Sequence, residues 1–358
     1  MRRENPDRAR KGRGATVSPD NRFAAHRREA CDDGWHSNDV EAPALDTTLS
    51  VDASRTVITY NQSPDVGFDR SINPYRGCEH GCVYCFARPT HAYLDLSPGL
   101  DFESRLFYKP DAVAQLTREL AAANYRCAPI AVGINTDAYQ PVERKLKLTR
   151  SIIETLVNAQ HPFSIVTKSA LIERDIDLLQ VAAQRRQVHI AVSITTLDRH
   201  LARRMEPRAA APQRRLEVIA RLHEAGIPVT VLVAPLIPVL TDHEMEAILS
   251  AARDVGAQEA GYVLLRLPHE IKALFADWLD AHEPLKASHV LSRMRDMRGG
   301  REYDARFGTR MRGTGVFAEL LAQRFQLAYR RLGYEAPAPL DCSVFTPPLL
   351  PGEQLSLF

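Results

Sequence analysis

Residues 78–85 read Cys-Glu-His-Gly-Cys-Val-Tyr-Cys, and their three cysteines follow the spacing C-x3-C-x2-C. The loop comes directly after an extended stretch, residues 71–76. Thiolates this close in sequence can bind one metal centre, but three are one short of a closed tetrahedral zinc site. A 4Fe–4S cluster takes one cysteine per iron, so three cysteines leave one iron open to another ligand. The spacing therefore favours an iron–sulfur cluster.

A structural zinc site is the main alternative, with a fourth ligand from His80, His91 or Cys127. A disulfide knot or unrelated burial is less favoured, because the cysteines are clustered and disulfides are rare in cytosolic proteins. The remaining cysteines, Cys31, Cys127 and Cys342, are scattered and are interpreted as ordinary thiols.

Composition indicates a soluble, cytoplasmic protein. The chain has 358 residues, 45% of them hydrophobic, and a net charge of +2. Its N-terminus lacks the apolar core of a secretory signal, and no apolar run reaches the roughly 18 residues of a membrane span. Residues 1–13 hold six Arg or Lys. We expect residues 1–50 to form a disordered basic arm, with nucleic-acid contact as the alternative.

From about residue 70, short apolar runs alternate with amphipathic stretches in six strand–helix units, counting the strand before the cysteines. This alternation predicts a parallel sheet buried on both faces. We expect a partial (β/α)6 barrel over residues 55–284, a helical extension over 285–333 and a Pro-rich tail over 334–358. The pattern Thr241-x-x-Glu244 predicts a capping box at the start of one helix.

Polar residues follow most of these strands, where parallel βα folds place their sites. They include Asn135, Thr136, Asp137, Thr167, Lys168, Ser169, Ser193, Thr195, Thr196 and Arg266. A polar rim above apolar strands is typical of a ligand pocket.

Longer stretches resemble a known family. Residues 73–88 read Asn-Pro-Tyr-Arg-Gly-Cys-Glu-His-Gly-Cys-Val-Tyr-Cys-Phe-Ala-Arg, and similar blocks occur at residues 133–143, 166–169, 193–198 and 205–208. Together they resemble the radical S-adenosylmethionine (SAM) superfamily, in particular its spore-photoproduct-lyase-like or "DNA repair photolyase"-like group, over about residues 55–333. The resemblance implies a radical SAM barrel and a 4Fe–4S cluster on Cys78, Cys82 and Cys85. It also implies that SAM binds the open iron and is cleaved to a 5′-deoxyadenosyl radical.

The same resemblance implies a set of SAM contacts. Tyr84 takes the place beside the adenine, and residues 133–137 take that of the block that receives the methionyl amino group. Lys168 and Arg208 are candidates for the SAM carboxylate, and Ser193 for the ribose or carboxylate. The predicted cofactor-binding residues are thus Tyr84, Asn135, Thr136, Asp137, Lys168, Ser193 and Arg208.

The sequence does not identify the target of the radical. Spore photoproduct lyases place a hydrogen-donating cysteine near the end of the second strand, where this chain has Asn135, so we expect a different reaction. One hypothesis is a radical SAM enzyme that acts on a DNA lesion, and a second is one that acts on another macromolecule or a metabolite. The third is a non-catalytic metal-cluster protein that the sliding clamp recruits. No catalytic hydrogen donor is predicted.

The chain ends with Gln354-Leu355-Ser356-Leu357-Phe358. This peptide resembles the one by which bacterial polymerases and repair proteins bind the sliding clamp. Exposed apolar anchors on a Pro-rich tail suit such recognition; the alternative is a terminus that packs back on the barrel. We expect the clamp, and through it DNA, as partners.

Overall fold

The computed structural model describes residues 12–24 and 45–350. The strands in these ranges are β1 (Thr48–Val51), β2 (Ile58–Tyr60), β3 (Arg70–Ile72), β4 (Tyr75–Arg76), β5 (Arg105–Tyr108), β6 (Ile130–Val132), β7 (Phe163–Thr167), β8 (Val188–Ser193), β9 (Val229–Leu236) and β10 (Glu259–Leu264). The helices are α1 (Leu100–Ser104), α2 (Ala112–Ala121), α3 (Glu143–Leu146), α4 (Leu148–Asn158), α5 (Ile176–Gln184), α6 (Arg199–Met205), α7 (Pro212–Glu224), α8 (Met245–Asp254), α9 (Ile271–His282), α10 (Pro284–Asp296) and α11 (Val316–Arg331).

The main sheet has seven strands in the order β10-β9-β8-β7-β6-β3-β2. All neighbours from β3 to β10 pair in parallel, and β2 pairs antiparallel with β3. Ile130, Ala131 and Val132 of β6 are fully buried, as expected for a sheet covered on both faces. The predicted α/β fold with parallel strands is confirmed, and the six predicted strand units are the six parallel strands.

Helix starts follow local chemistry only in part. Helix α7 begins at Pro212, where a proline suits the first helical position. The predicted capping box is wrong. The Thr241 hydroxyl accepts a hydrogen bond from the Ile237 amide (3.0 Å), and the Glu244 carboxylate accepts one from the Leu197 amide (3.1 Å). Both side chains brace neighbouring loops instead of capping α8.

A small sheet of order β1-β5-β4 stands beside the main one, and the N-terminal part of the chain packs there. Ala15 and Thr16 are buried, and β1 pairs with β5. The structure here differs from the expected disordered arm, in residues 12–24 and 45–50. Hydrogen bonds to residues distant in sequence hold these segments in place. Such contacts leave no apolar periodicity in the sequence, so the order was not predicted.

The C-terminal tail crosses the end of the barrel opposite the cysteine loop. The Asp341 amide donates to the Arg186 carbonyl (2.9 Å), and the Phe345 ring packs edge-on against His161 (5.1 Å between centroids). Cys342 lies beside Cys127, and burial together with this neighbour raises the pKa of the Cys127 thiol to about 12. Residues 354–358 lie outside the described residues.

No helix in the described ranges is long and apolar enough to cross a membrane.

Two buried histidines make stability depend on pH. Both ring nitrogens of His161 have partners, the Tyr125 hydroxyl (2.7 Å) and the Pro162 carbonyl (2.9 Å). Burial lowers the pKa of His161 from 6.5 to about 4, and it does the same for His91. Between these pH values, the unfolded chain binds protons that the native protein does not.

We therefore expect the free energy of unfolding to fall as pH drops from 6.5 to 4, by about 1.4 kcal/mol per pH unit for each histidine. Urea denaturation across this range measures the slope. His161→Gln should remove its share of the slope, whereas His223→Gln, at an exposed position, should leave it unchanged. Equal slopes in the wild type and His161→Gln would contradict this assignment.

Candidate active site

The cysteine loop lies at the carboxyl end of β3, where parallel barrels place their sites. The Cys78 amide donates to the Phe102 carbonyl (2.9 Å), which fixes the start of the loop. Cys78, Cys82 and Cys85 are free thiols, the first buried and the others half-buried. Burial raises the pKa of all three thiols, and for Cys78 the nearby Asp137, Cys82 and Cys85 raise it further. A metal that binds thiolates must therefore displace their protons.

The Arg88 guanidinium, fully buried, holds the middle of this loop. It donates to the carbonyls of Gly81 (3.0 Å) and Cys82 (2.8 Å) and to two carbonyls of residues 98–99. It also pairs with the buried Glu103 carboxylate at 2.5 Å. One side chain thus fixes the backbone on both sides of the second cysteine, Cys82.

Glu103 in turn binds the N-terminal segment to the loop. Its carboxylate accepts from the amides of Gly14 (3.0 Å) and Ala15 (2.8 Å), and its carbonyl accepts from Arg13 (2.7 Å). Gly14 packs against the loop so closely that a Cβ there would lie 1.8 Å from the Gly81 carbonyl oxygen. The N-terminal segment is part of the site's support.

The structure argues against a closed zinc site. His80 pairs with Asp137 (3.3 Å), the buried His91 contacts the Arg105 carbonyl (3.0 Å), and Cys127 lies at the other end of the barrel. Among the described residues, no three His, Cys, Asp or Glu side chains converge on a position for a single ion. Cysteines that each bind a different iron need not converge on one point, so the arrangement fits a 4Fe–4S cluster.

Asp137 connects the cysteine loop to the ends of two strands. Its carboxylate accepts from the Thr167 hydroxyl (2.8 Å) and from the amides of Lys168 (2.8 Å) and Tyr139 (2.9 Å), and it pairs with His80. Burial alone would raise the pKa of Asp137, but the charge and hydrogen bonds of these partners lower it to about 2. Asp137 therefore stays ionised and positions the loop around it.

The two residues before Asp137 differ in exposure. The Thr136 hydroxyl is buried and donates to the Tyr75 carbonyl (2.9 Å). Asn135 is exposed, and its backbone amide donates to the side-chain oxygen Oδ1 of Asn73 (2.9 Å). The side chains of Thr136 and Asp137 are thus engaged within the protein. Direct contact of this block with SAM stays a prediction.

Tyr84 belongs to a buried network around Glu206. The Glu206 carboxylate accepts from the Tyr84 hydroxyl and the Thr195 hydroxyl and pairs with Arg215. Arg215 also donates to the Ser193 carbonyl (2.9 Å) at the end of β8. This network connects the cysteine loop after β3 with the end of β8, although β6 and β7 lie between these two strands in the sheet. It also restricts the orientation of the Tyr84 ring.

Lys168 and Arg208, the two predicted carboxylate partners, have different surroundings. The Lys168 ammonium lies 5.9 Å from the Tyr84 ring centroid, and it has no hydrogen bond or ion pair within the part of the chain that the structure describes. Burial lowers its pKa, while the neighbouring Cys82 acts in the opposite direction. Arg208 instead pairs with Glu79 (3.2 Å) at the edge of the loop.

Four buried charged residues that support the site were not predicted from the sequence: Arg88, Glu103, Glu206 and Arg215. Arg88 and Glu206 lie inside the blocks that carry the family resemblance, which was the available signal. Glu103 and Arg215 lie on helices α1 and α7, where charged residues normally face solvent, and nothing in the sequence marks them as buried partners.

Replacing Arg88 with Met should lower the free energy of unfolding by about 3–5 kcal/mol, because Glu103 is left buried without its cation. Chemical denaturation measures this loss. Arg105→Met, at an exposed position in the same segment, is the control and should change stability by less than about 0.5 kcal/mol. The double variant Arg88→Met/Glu103→Gln should recover part of the loss. A single variant as stable as the control would show that the pair does not hold the loop.

Replacing Gly14 with Ala should push the N-terminal segment off the loop, since the new Cβ meets the backbone of Gly81. We expect a loss of about 1–3 kcal/mol in stability and less iron bound per chain after reconstitution. Gly67→Ala is the control, because no atom lies within 4 Å of the Cβ position there. Unchanged iron content in Gly14→Ala would mean that the segment does not support the site.

Several uncharacterized proteins are similar to this chain in sequence. An uncharacterized protein of Mycobacterium tuberculosis is 38% identical over 232 residues, which cover 64% of this chain and 67% of the relative. Uncharacterized proteins of Acidianus two-tailed virus and Methanocaldococcus jannaschii are 30% and 28% identical over 56% and 48% of this chain, and the matches cover 70% and 62% of those proteins.

The solved structures support the fold. Spore photoproduct lyase complexed with dinucleoside spore photoproduct aligns with a TM-score of 0.56 at 16% identity, covering 80% of each chain. A double mutant of that lyase with bound AdoMet and dinucleoside spore photoproduct aligns with a TM-score of 0.55, again at 16% identity and 80% of each chain.

The family is shown by a direct match to its model. Residues 72–252, about half of the chain, match the model of the Radical SAM superfamily. This range contains the cysteine loop and the parallel strands β6 to β9. Members of the superfamily use a 4Fe–4S cluster and SAM. We conclude that this chain is an enzyme of the radical SAM superfamily.

Proposed function

We propose that this protein binds a 4Fe–4S cluster through Cys78, Cys82 and Cys85, cleaves SAM reductively, and uses the resulting radical on DNA. The observation that carries the proposal is the loop itself. It presents three free thiols at the carboxyl ends of the parallel strands, with the half-buried Lys168 ammonium group beside them. When bound, the cluster supplies one electron to the sulfonium of SAM, which gives methionine and a 5′-deoxyadenosyl radical.

Lys168 is the best partner for the SAM carboxylate. Its half-buried ammonium group lies near Cys82 without an ion pair to the described residues, so a bound carboxylate would offset its desolvation. Arg208 is a weaker candidate, since its guanidinium already pairs with Glu79. Ser193, buried at the end of β8, remains proposed for the ribose or carboxylate.

Tyr84 would contact the adenine with an orientation already set. Its hydroxyl is fixed by Glu206 and Thr195, so the ring loses little freedom when a ligand binds. Asp137 would act through His80 and the loop after β6, by keeping both in place. These side chains organise the pocket, and the chemistry comes from the cofactors.

DNA is the proposed target class. Support comes from the fold, which spore photoproduct lyase bound to a dinucleoside photoproduct shares. Docking on the sliding clamp depends on Gln354–Phe358 alone. Deleting these five residues and testing binding to the clamp would decide that point separately.

Anaerobic reconstitution with iron and sulfide tests the proposal. Reduced protein with SAM should form 5′-deoxyadenosine, and Cys82→Ala should abolish that product. A colourless protein that holds one zinc and forms no product would refute the enzyme assignment. Transfer of deuterium between labelled DNA and deoxyadenosine would identify DNA as the target.

Lys168→Met should raise the KM for SAM by about 10- to 100-fold, the size expected for a lost charge-assisted hydrogen bond. Lys145→Met removes an exposed ammonium on α3 and is the matched control, with an unchanged KM. Iron content should stay the same in both variants. An unchanged KM in Lys168→Met would exclude this residue as the carboxylate partner.

A further inference from the structure

The gap between the first and last parallel strands is spanned by an arginine–aromatic pair. β3 and β10 are far apart in the sheet order, yet the Arg266 guanidinium lies 5.1 Å from the centroid of the Phe86 ring. Phe86 directly follows the third cysteine, and Arg266 lies two residues beyond β10. The pair therefore stands at the open side of the barrel, next to the cysteine loop.

A second arginine bridges the same gap nearby. Arg22 lies 4.6 Å from the centroid of the Phe23 ring and 5.1 Å from that of Tyr93. Its guanidinium also donates to the Pro89 carbonyl (3.1 Å) and pairs with Glu270 (3.2 Å) at the start of α9. It thus connects the segment after the cysteines with the segment after β10.

A third pair lies near Arg266. Arg310 lies 4.6 Å from the centroid of the Phe307 ring, and Asp65 holds it through an ion pair. The charge of Arg266 acts on the same carboxylate, since the Gly308 amide, Arg310 and Arg266 all lower the pKa of Asp65. Asp65 belongs to the loop between β2 and β3, and Arg310 to the loop between α10 and α11. This contact again joins the two sides of the gap.

The aromatic rings of these three arginine–aromatic groups are exposed. Exposure is 39% for Phe86, 71% for Tyr93, and 57% for both Phe23 and Phe307. A ring with a guanidinium on one face keeps its other face open for stacking. The charge also favours an anion, since residues 298–312 hold five arginines against Glu302 and Asp304.

Arg266 has unused hydrogen-bonding capacity. Its Nε is buried and has no hydrogen-bond partner in the described ranges of the chain. Arg266 as a whole is only half-buried, and it lies beside Phe86, next to the cysteine loop. A partly exposed guanidinium next to a stacking ring suits a phosphate or a base edge.

We propose that this arginine–aromatic rim, formed by Arg22, Phe23, Phe86, Tyr93, Arg266, Phe307 and Arg310, binds a single-stranded or locally unpaired nucleic acid strand. Strand binding by the rim does not depend on the proposed function, but a reaction on the bound strand does. Bases stack on the free ring faces while guanidinium groups attract the phosphates, a combination that tolerates any sequence. A protein partner would favour a continuous apolar patch. Here Phe23 and Tyr93 contact each other (5.4 Å between centroids), but the Arg22 guanidinium lies over both rings, and Phe86 and Phe307 each have an arginine of their own. Phe86 would bring one base next to the third cysteine.

Fluorescence anisotropy with the reconstituted protein and labelled oligothymidylate of about 16 nucleotides tests the rim. Phe86→Ala and Phe307→Ala should each weaken binding by at least about fivefold, the lower range for one lost stacked base. Arg266→Gln should reduce the slope of log affinity against log salt by about 0.7. Arg293→Gln is the matched control. Arg293 is on α10, outside the gap, and its guanidinium lies 5.3 Å from the centroid of the Phe317 ring. This variant should bind within about twofold of wild type.

Circular dichroism and iron content of each variant separate lost binding from lost folding. A ribo-oligonucleotide of the same sequence decides between DNA and RNA, and tight binding of either supports the rim. The inference is overturned if wild-type protein binds neither strand, if a blunt duplex binds more tightly, or if folded rim variants bind like Arg293→Gln. Cleavage of SAM without strand binding would remove this inference alone, whereas strand binding without SAM cleavage would remove the proposed function alone.

Discussion

The ion pair between Arg88 and Glu103 is the interaction on which the site depends. Both side chains are fully buried, and each has further hydrogen bonds that satisfy its remaining polar atoms. A buried pair of this kind adds little net stability, but the loss of one partner is costly because the other charge stays buried. Its value here is geometric. Arg88 binds the carbonyls within the cysteine loop, and Glu103 binds the N-terminal segment that covers it.

A second theme is the placement of charge around the thiols. Burial raises the pKa of all three cysteine thiols, and Lys168 acts in the opposite direction on Cys82 and Cys85. The pKa of Asp137 is lowered by His80 and by three hydrogen-bond donors. Lys168 and Arg208 differ in their surroundings. Within the described ranges the Lys168 ammonium has no ion pair, whereas the Arg208 guanidinium pairs with Glu79.

Periodic features of the chain were predictable from sequence. Apolar runs such as residues 130–132 and 188–193 predicted the parallel strands correctly. The cysteine spacing predicts the cluster ligands, and that part stays a prediction. Contacts between distant residues were not predictable. Gly14 and Glu103 are 89 residues apart, and their hydrogen bond involves a backbone amide that no side-chain pattern reveals. Separation in sequence also hides the Phe86–Arg266 pair and the hydrogen bond from Tyr84 to Glu206, whose partners are 122 residues apart.

The proposed function requires that the cysteine loop leave one iron of a bound 4Fe–4S cluster open to SAM. Electron paramagnetic resonance of the reduced, reconstituted protein, recorded before and after SAM is added, shows whether SAM binds that iron. We expect the signal of a reduced 4Fe–4S cluster whose g values shift when SAM binds, and the same cluster signal with a weaker response to SAM in Lys168→Met. A cluster signal that saturating SAM leaves unchanged would contradict an open iron.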